Sequence, residues 1–171
     1  RTQERVEAAR ASIAAQVGCQ SSEIVFTSGS TESNNLAING LLARHENRHI
    51  ITSQIEHPSV LAPVEQAERR GFTVTRLPVD SCGLVDLNRL AESIRPDTLL
   101  VSIMFANNEI GTVQPVDQLG AICRERGVLF HTDAVQWFGK EPFDGVDQFN
   151  ADLISVCAHK FHGPKGAGLL Y

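Results

Sequence analysis

The chain alternates between two hydrophobic periods. Over residues 2–17 apolar side chains fall at Val6, Ala9, Ile13 and Val17. That three-and-four spacing predicts an amphipathic helix, ended by Gly18. "EIVFTS" comes next as a short β-rich run, and "STESNNLAINGLLAR" starts helically. "HIITS" predicts a second strand. "SVLAPVEQAERRG" predicts a helix closed by Gly71, with Pro63 either in its first turn or kinking it. "TVTRLPV" predicts a strand, and Asp86 caps the helical "LNRLAESI", which Pro96 ends. "TLLVSIM" is another strand, and Pro115 opens a helix over "VDQLGAICRERG". "VLFHTD", "DLISVC" and "AGLLY" complete the strand set. Strands alternating with helices of roughly 10–15 residues imply βαβ units. The fold class is therefore α/β, with a mostly parallel sheet covered by helices on both faces.

In such a sheet, ligands bind beyond the carboxyl ends of the strands. The residues just past each strand are thus informative. After "EIVFTS" comes Gly29-Ser30-Thr31; after "HIITS" come Glu56 and His57; after "TLLVSIM" come Asn107, Asn108 and Glu109. "VLFHTD" ends on Asp133, with Gln136 beyond it, and "DLISVC" leads into "AHKFHGPKG". Polar groups with chemical ability gather at this one edge.

Composition narrows the function classes. Of 171 residues, 42% are hydrophobic and 20% charged, as in a soluble globular domain with a sizeable core. The net charge of -5 and a pI near 5.6 give no basic surface for nucleic acid. The longest apolar runs are strand-sized, so no membrane helix is expected, and no signal-peptide pattern is present. Cys19, Cys82, Cys123 and Cys157 form no C-x-x-C pair. That argues against a zinc site and for reduced thiols in a cytoplasmic setting. The chain starts at Arg1 rather than Met and stops at Tyr171 straight after an apolar run. The expectation is one domain, cut at both ends.

Each candidate group has a plain reading beside the chemical one. Gly29-Ser30-Thr31 opens a helix after a strand and offers free N–H groups, a favourable dipole end and two hydroxyls to a phosphate. Taken alone, it is an ordinary N-cap. It matches neither G-x-G-x-x-G nor G-x-x-x-x-G-K-[ST], so any phosphate belongs to another cofactor. Asp133 could bind a metal with His131, cap a turn, or accept from a protonated ring nitrogen; capping is the default. His57 reads by default as a solvated turn histidine, and Asn108 and Gln136 as turn amides. There are only three lysines, Lys140, Lys160 and Lys165. The first and last sit in hydrophilic turns, whereas Lys160 lies just past a strand end.

Together the set fits pyridoxal phosphate. That cofactor needs a lysine for its Schiff base, a carboxylate for its ring nitrogen and a phosphate cradle. It also gains from a flat group over the ring and a donor to the ring oxygen. Lys160, Asp133, Ser30 with Thr31, His57, and Asn108 with Gln136 can fill these roles in turn.

The blocks "FTSGSTESNNLAI", "IITSQIEHPSVL", "SIMFANNEIGTVQPV", "HTDAVQWFGK" and "SVCAHKFHGPKGAGLLY" span nearly the whole chain. In that order they resemble the cysteine desulfurases, NifS-like and IscS-like, of the class V aminotransferases. The resemblance implies the large domain of a fold type I pyridoxal phosphate enzyme, three-layered with a seven-stranded mixed sheet, and a homodimer. It implies that Lys160 carries the cofactor and that His159 and Thr31 contact its phosphate. Asp133 would meet the ring nitrogen and His57 stack on the ring. Asn108 and Gln136 would lie near the ring oxygen, Asn108 also near the substrate carboxylate. Cys157 stands where the family often has Ser, which implies one weaker phosphate contact. The implied reaction converts L-cysteine to L-alanine and an enzyme persulfide that feeds iron–sulfur or thio-cofactor assembly through an acceptor protein. Lys160 would move the α-proton. The family's sulfur-accepting cysteine and its carboxylate-binding arginine would lie beyond Tyr171, with the small domain. Three alternatives stay open. One is a selenocysteine lyase or other class V enzyme. The second is a metal-dependent hydrolase using His131, Asp133, His159 and His162. The third is a folded domain without activity of its own.

Overall fold

The computed structural model describes residues 2–171. Its helices are α1 (Thr2–Val17), α2 (Ser30–Leu42), α3 (Pro58–Arg69), α4 (Leu87–Ser93) and α5 (Val116–Glu125). Its strands are β1 (Val25–Thr27), β2 (His49–Ser53), β3 (Thr73–Leu77), β4 (Thr98–Ser102), β5 (Leu129–Asp133), β6 (Leu153–Cys157) and β7 (Gly168–Leu170). All seven strands join one sheet in the order β1-β7-β6-β5-β4-β2-β3. Strands β2 to β6 pair in parallel, β7 is antiparallel to β6, and β1 is antiparallel to β7. β1 therefore points the same way as the parallel block. The carboxyl ends of six strands open on one edge of the sheet.

Side-chain alternation divides the core in two. Ile51, Val101 and Phe130 face one side, where they meet Ala14 and Val17 of α1, Leu90 of α4, and Leu119 and Cys123 of α5. Ile50 and Leu100 face the other, against Ile38 and Leu42 of α2 and Val60 and Val64 of α3. The sheet is covered on both sides, as the alternating pattern predicts. β2 and β4 are buried along their whole length, which is why they read as continuous runs of apolar and small residues. Of the stripe predicted for α1, Val17 is buried and Ile13 half-buried, while Val6 and Ala9 stand open beside Phe26 and Ala167. No helix among the described residues is long and apolar enough to cross a membrane.

Two local details place the sheet edge. α3 begins at Pro58, earlier than the pattern suggested, because the His57 ring caps it by accepting from Ser59 N. Pro63 consequently lies inside the helix and past its first turn, and α3 runs through it to Arg69. The second detail is the seating of α2. The buried Ser33 hydroxyl donates to Leu169 O at 2.9 Å and lies 2.8 Å from Thr27 Oγ1. A Cβ on Gly168 would stand 2.7 Å from Gly29 Cα and 2.9 Å from Val156 O. Only the absence of a side chain lets the start of α2 lie this close to β7 and β6.

Candidate active site

The sheet edge carries a small cleft lined by Ser30, His57, Met104, Ala106, Asn108, Asp133, Val135, Gln136 and Lys160. Each comes from the turn after a strand, or from a strand's last residue. β2 leads to β3 on one side, but β4 returns to β2's other side. That reversal of winding order is where ligands bind in open α/β sheets.

Asp133 ends β5 and is 6% exposed. Its Oδ2 accepts from Asn34 Nδ2 at 2.7 Å and its Oδ1 from Val135 N at 3.1 Å. Burial pushes its carboxyl up; the bonds from Asn34 and Val135, and any positive charge on His57 or Lys160, pull it down. Among the described residues, no cationic side chain lies within ion-pair distance of it. A buried carboxylate at a cleft wall, hydrogen-bonded yet without a counter-charge, suits a ligand that brings a protonated ring nitrogen.

His57 lies just past β2 and is exposed to the cleft. Its Nδ1 takes Ser59 N–H at 3.1 Å and lies 2.7 Å from Ser59 Oγ. Ser59 Oγ in turn accepts from Asn34 Nδ2 at 2.8 Å. Lys160 projects from the short 3-10 turn Ala158–Phe161 after β6, closed by Gly163 N on Ala158 O at 2.9 Å. Lys140 Nζ donates to the Gln136 amide oxygen at 2.8 Å, which leaves the Gln136 NH2 group to donate. Lys165 is exposed and, like Lys140, does not line the cleft.

Three predicted residues flank the cleft rather than line it. Thr31 is exposed on the first turn of α2, beside Ser30. Cys157 is fully buried at the end of β6, 4.0 Å from His159 Nε2, and burial pushes its thiol up. His159 is exposed in the turn with Lys160.

Four residues to which sequence reasoning gave no role also shape the site. Asn34 and Ser59 link Asp133 to His57. Asn107, buried, donates to Ile55 O at 2.9 Å and accepts from Glu109 N and Ile110 N. It thereby pins the loop that carries Asn108 against the loop that carries His57. Glu56 is buried behind both, its Oε1 accepting from Ser53 Oγ and Met104 N. Glu56 and Asn107 were visible in the sequence as polar groups just past strands, whereas Asn34 and Ser59 lie inside helices and gave no such signal.

The metal-hydrolase alternative meets a different fate. His131 is wholly buried, and both its ring nitrogens are bonded, to Ser102 Oγ at 2.8 Å and Ser155 Oγ at 3.0 Å. Burial drives its pKa down to about 3, so the ring is neutral. Among the described residues no three His, Cys, Asp or Glu side chains stand close enough to share a metal ion.

The residues fit pyridoxal phosphate on these observations. Asp133 offers an acceptor suited to a protonated ring nitrogen, and His57 offers a flat ring. Asn108 and Gln136 supply amide donors, and Lys160 a primary amine. Ser30 stands at the start of a helix whose N-cap, Gly29, has a φ of 151°. Its free N–H groups and dipole favour a phosphate.

Fold and cleft thus define a lysine-bearing site beside a helix N-terminus, on a winding reversal. The chain belongs to the class V aminotransferase family, whose model matches residues 1–171. It is 51% identical to the cysteine desulfurase IscS of Dictyoglomus turgidum over 99% of this chain and 43% of that protein. It is also 51% identical to the mitochondrial cysteine desulfurase of Drosophila melanogaster, over 99% of this chain and 37% of the relative. Among solved structures, "SspA in complex with cysteine" superposes with a TM-score of 0.93 at 46% identity, over 99% of this chain and 49% of the other. DndA from Streptomyces lividans gives a TM-score of 0.89 at 43% identity, over 98% and 47%. The chain spans about two-fifths of the length of the curated relatives it matches.

Proposed function

We propose that these residues form the cofactor-binding part of a pyridoxal phosphate-dependent cysteine desulfurase. The observation that carries the reading is the placement in one cleft of Lys160 and of Asp133, hydrogen-bonded but without an ion-pair partner among the described residues, where the cleft opens onto the N-terminus of α2. Bound there, pyridoxal phosphate supplies an electron sink for the carbon that loses its proton. Asp133 then gives the ring nitrogen a charge-assisted partner. Ser30 and Thr31, with the first turn of α2 and His159, hold the phosphate. His57 covers the ring and excludes water from one face. Asn108 and Gln136 orient the ring oxygen and the substrate carboxylate. Lys160 would hold the cofactor, and its amine would move the α-proton.

L-Cysteine is the proposed substrate, supported by the cysteine complex of a 46% identical structure. None of Cys19, Cys82, Cys123 and Cys157 lines the cleft. Cys123 is buried, its thiol pushed up to about 12, and cannot serve as a thiolate acceptor. In this reading the sulfur-accepting thiol comes from outside residues 1–171. A homodimer, a sulfur-acceptor protein in iron–sulfur or thio-cofactor assembly, and a cytoplasmic setting complete the reading. The four free cysteines support a reducing compartment.

The test is turnover by the full natural protein with added pyridoxal phosphate and a thiol reductant. Alanine and sulfide should form from L-cysteine, and Lys160→Ala should abolish both. Alanine from L-selenocysteine but none from L-cysteine would replace this reading with a selenocysteine lyase.

A further inference from the structure

Asn34 sits in α2, fully buried, where a helix facing a sheet would ordinarily carry an apolar residue. It contacts no solvent. We propose that Asn34 is a positioning residue. Its one amide sets both the Asp133 carboxylate and, through Ser59, the His57 imidazole. The inference rests on the cofactor reading only in supposing that these two groups grip a ring.

Proton counting gives the direction of every bond. The Nδ2 group has two hydrogens and two close acceptors, Asp133 Oδ2 at 2.7 Å and Ser59 Oγ at 2.8 Å. Turned over, the amide would set its carbonyl oxygen against a carboxylate, lone pair to lone pair. The orientation is therefore fixed by Asp133. Ser59 Oγ spends a lone pair on Asn34, so its own hydrogen is free for His57 Nδ1, 2.7 Å away. Ser59 N–H reaches the same nitrogen at 3.1 Å. Nδ1 is thus an acceptor twice over, and the neutral ring carries its proton on Nε2. A continuous line of donors runs from the carboxylate, which ends β5, to the imidazole, which caps α3.

The arrangement has a cost that points to its use. Asn34 Oδ1 is buried with no hydrogen-bond partner. A leucine at this position would fill similar space without that orphan. What leucine would lose is the donor that helps hold Asp133 ionised in a buried position. The other groups that act on Asp133 are the Val135 N–H, His57 after β2 and Lys160 after β6, while its own charge acts on Cys157 and Glu56.

The experiment uses the full natural protein, stripped of cofactor, with ¹³C-labelled aspartate and ¹⁵N-labelled histidine. In the parent, the His57 ring should show an unprotonated Nδ1 and a protonated Nε2. Asn34→Leu should raise the Asp133 ionisation midpoint by about one pH unit, a tenfold change in its acid constant, and should move the His57 Nδ1 resonance. Ser59→Ala should move that same resonance while leaving Asp133 nearly in place. In the double variant the His57 shifts should not add, because both changes cut one line. An Asp133 midpoint unmoved by Asn34→Leu, or additive His57 shifts, would overturn the proposal. Titrating pyridoxal phosphate into the parent separates the two claims. If the couplings hold and no visible absorbance band forms, the cofactor reading fails and the positioning role stands.

Discussion

Glu56 shows how far one buried residue can shape the site's response to pH. Its Oε1 accepts from Ser53 Oγ at 2.5 Å and Met104 N at 2.9 Å, while Oε2 has no partner. Burial raises its pKa from 4.5 to about 8, with a further push from Asp133, against the pull of the Ser53 and Met104 bonds. At neutral pH it is a neutral acid behind the His57 loop. The folded protein therefore keeps a proton that the unfolded chain gives up above pH 4.5. Stability from this group is full below that pH, falls between about 4.5 and 8, and is flat above. The slope is about 1.4 kcal/mol per pH unit. Glu56→Gln, an always-neutral mimic, should match the cofactor-free parent in acid and exceed it progressively toward pH 8 in urea denaturation. Parallel pH profiles would show that Glu56 ionises normally. Asp133 calls for the opposite substitution. Asp133→Asn keeps the shape and loses the charge that would hold a ring nitrogen protonated. It should retain some pyridoxal phosphate yet lose most turnover, at least tenfold, and a variant with parental turnover would contradict its role.

At the scale of elements, the hydrophobic periods disclosed more than the caps did. All seven strands and five helices fall within segments that the hydrophobic pattern and its punctuating residues predict. β2 and β4 were legible because burial on both faces demands unbroken apolar or small residues. The start of α3 was not, since a histidine cap is chemically unlike the usual Ser, Thr, Asp or Asn. Nor was the role of Asn34, because its partners lie 25 and 99 residues away along the chain. The seating of α2 depends on a glycine whose reason is likewise distant. Gly168→Ala would drive a methyl group into the backbone of Gly29 and Val156. It should cost about 1–3 kcal/mol in stability and weaken binding of pyridoxal phosphate, read by equilibrium dialysis. A variant with parental stability and affinity would mean that α2 is not held by this contact.

For the whole molecule, the sequence placed the chemistry at one sheet edge but not in its spatial order. Strand order is set by crossovers between distant segments, so β1 pairing with β7 could not be read from local pattern. Ser30, His57, Asn108, Asp133, Gln136 and Lys160 meet in one cleft because six strands point the same way and the winding reverses beside β2. The central claim is that this cleft holds pyridoxal phosphate through Lys160. Borohydride reduction of the yellow full natural protein, with peptide mapping afterwards, tests it most directly. The label should appear on the peptide bearing Lys160. A label on Lys140 or Lys165, or no label on a protein that nevertheless desulfurates cysteine, would contradict it.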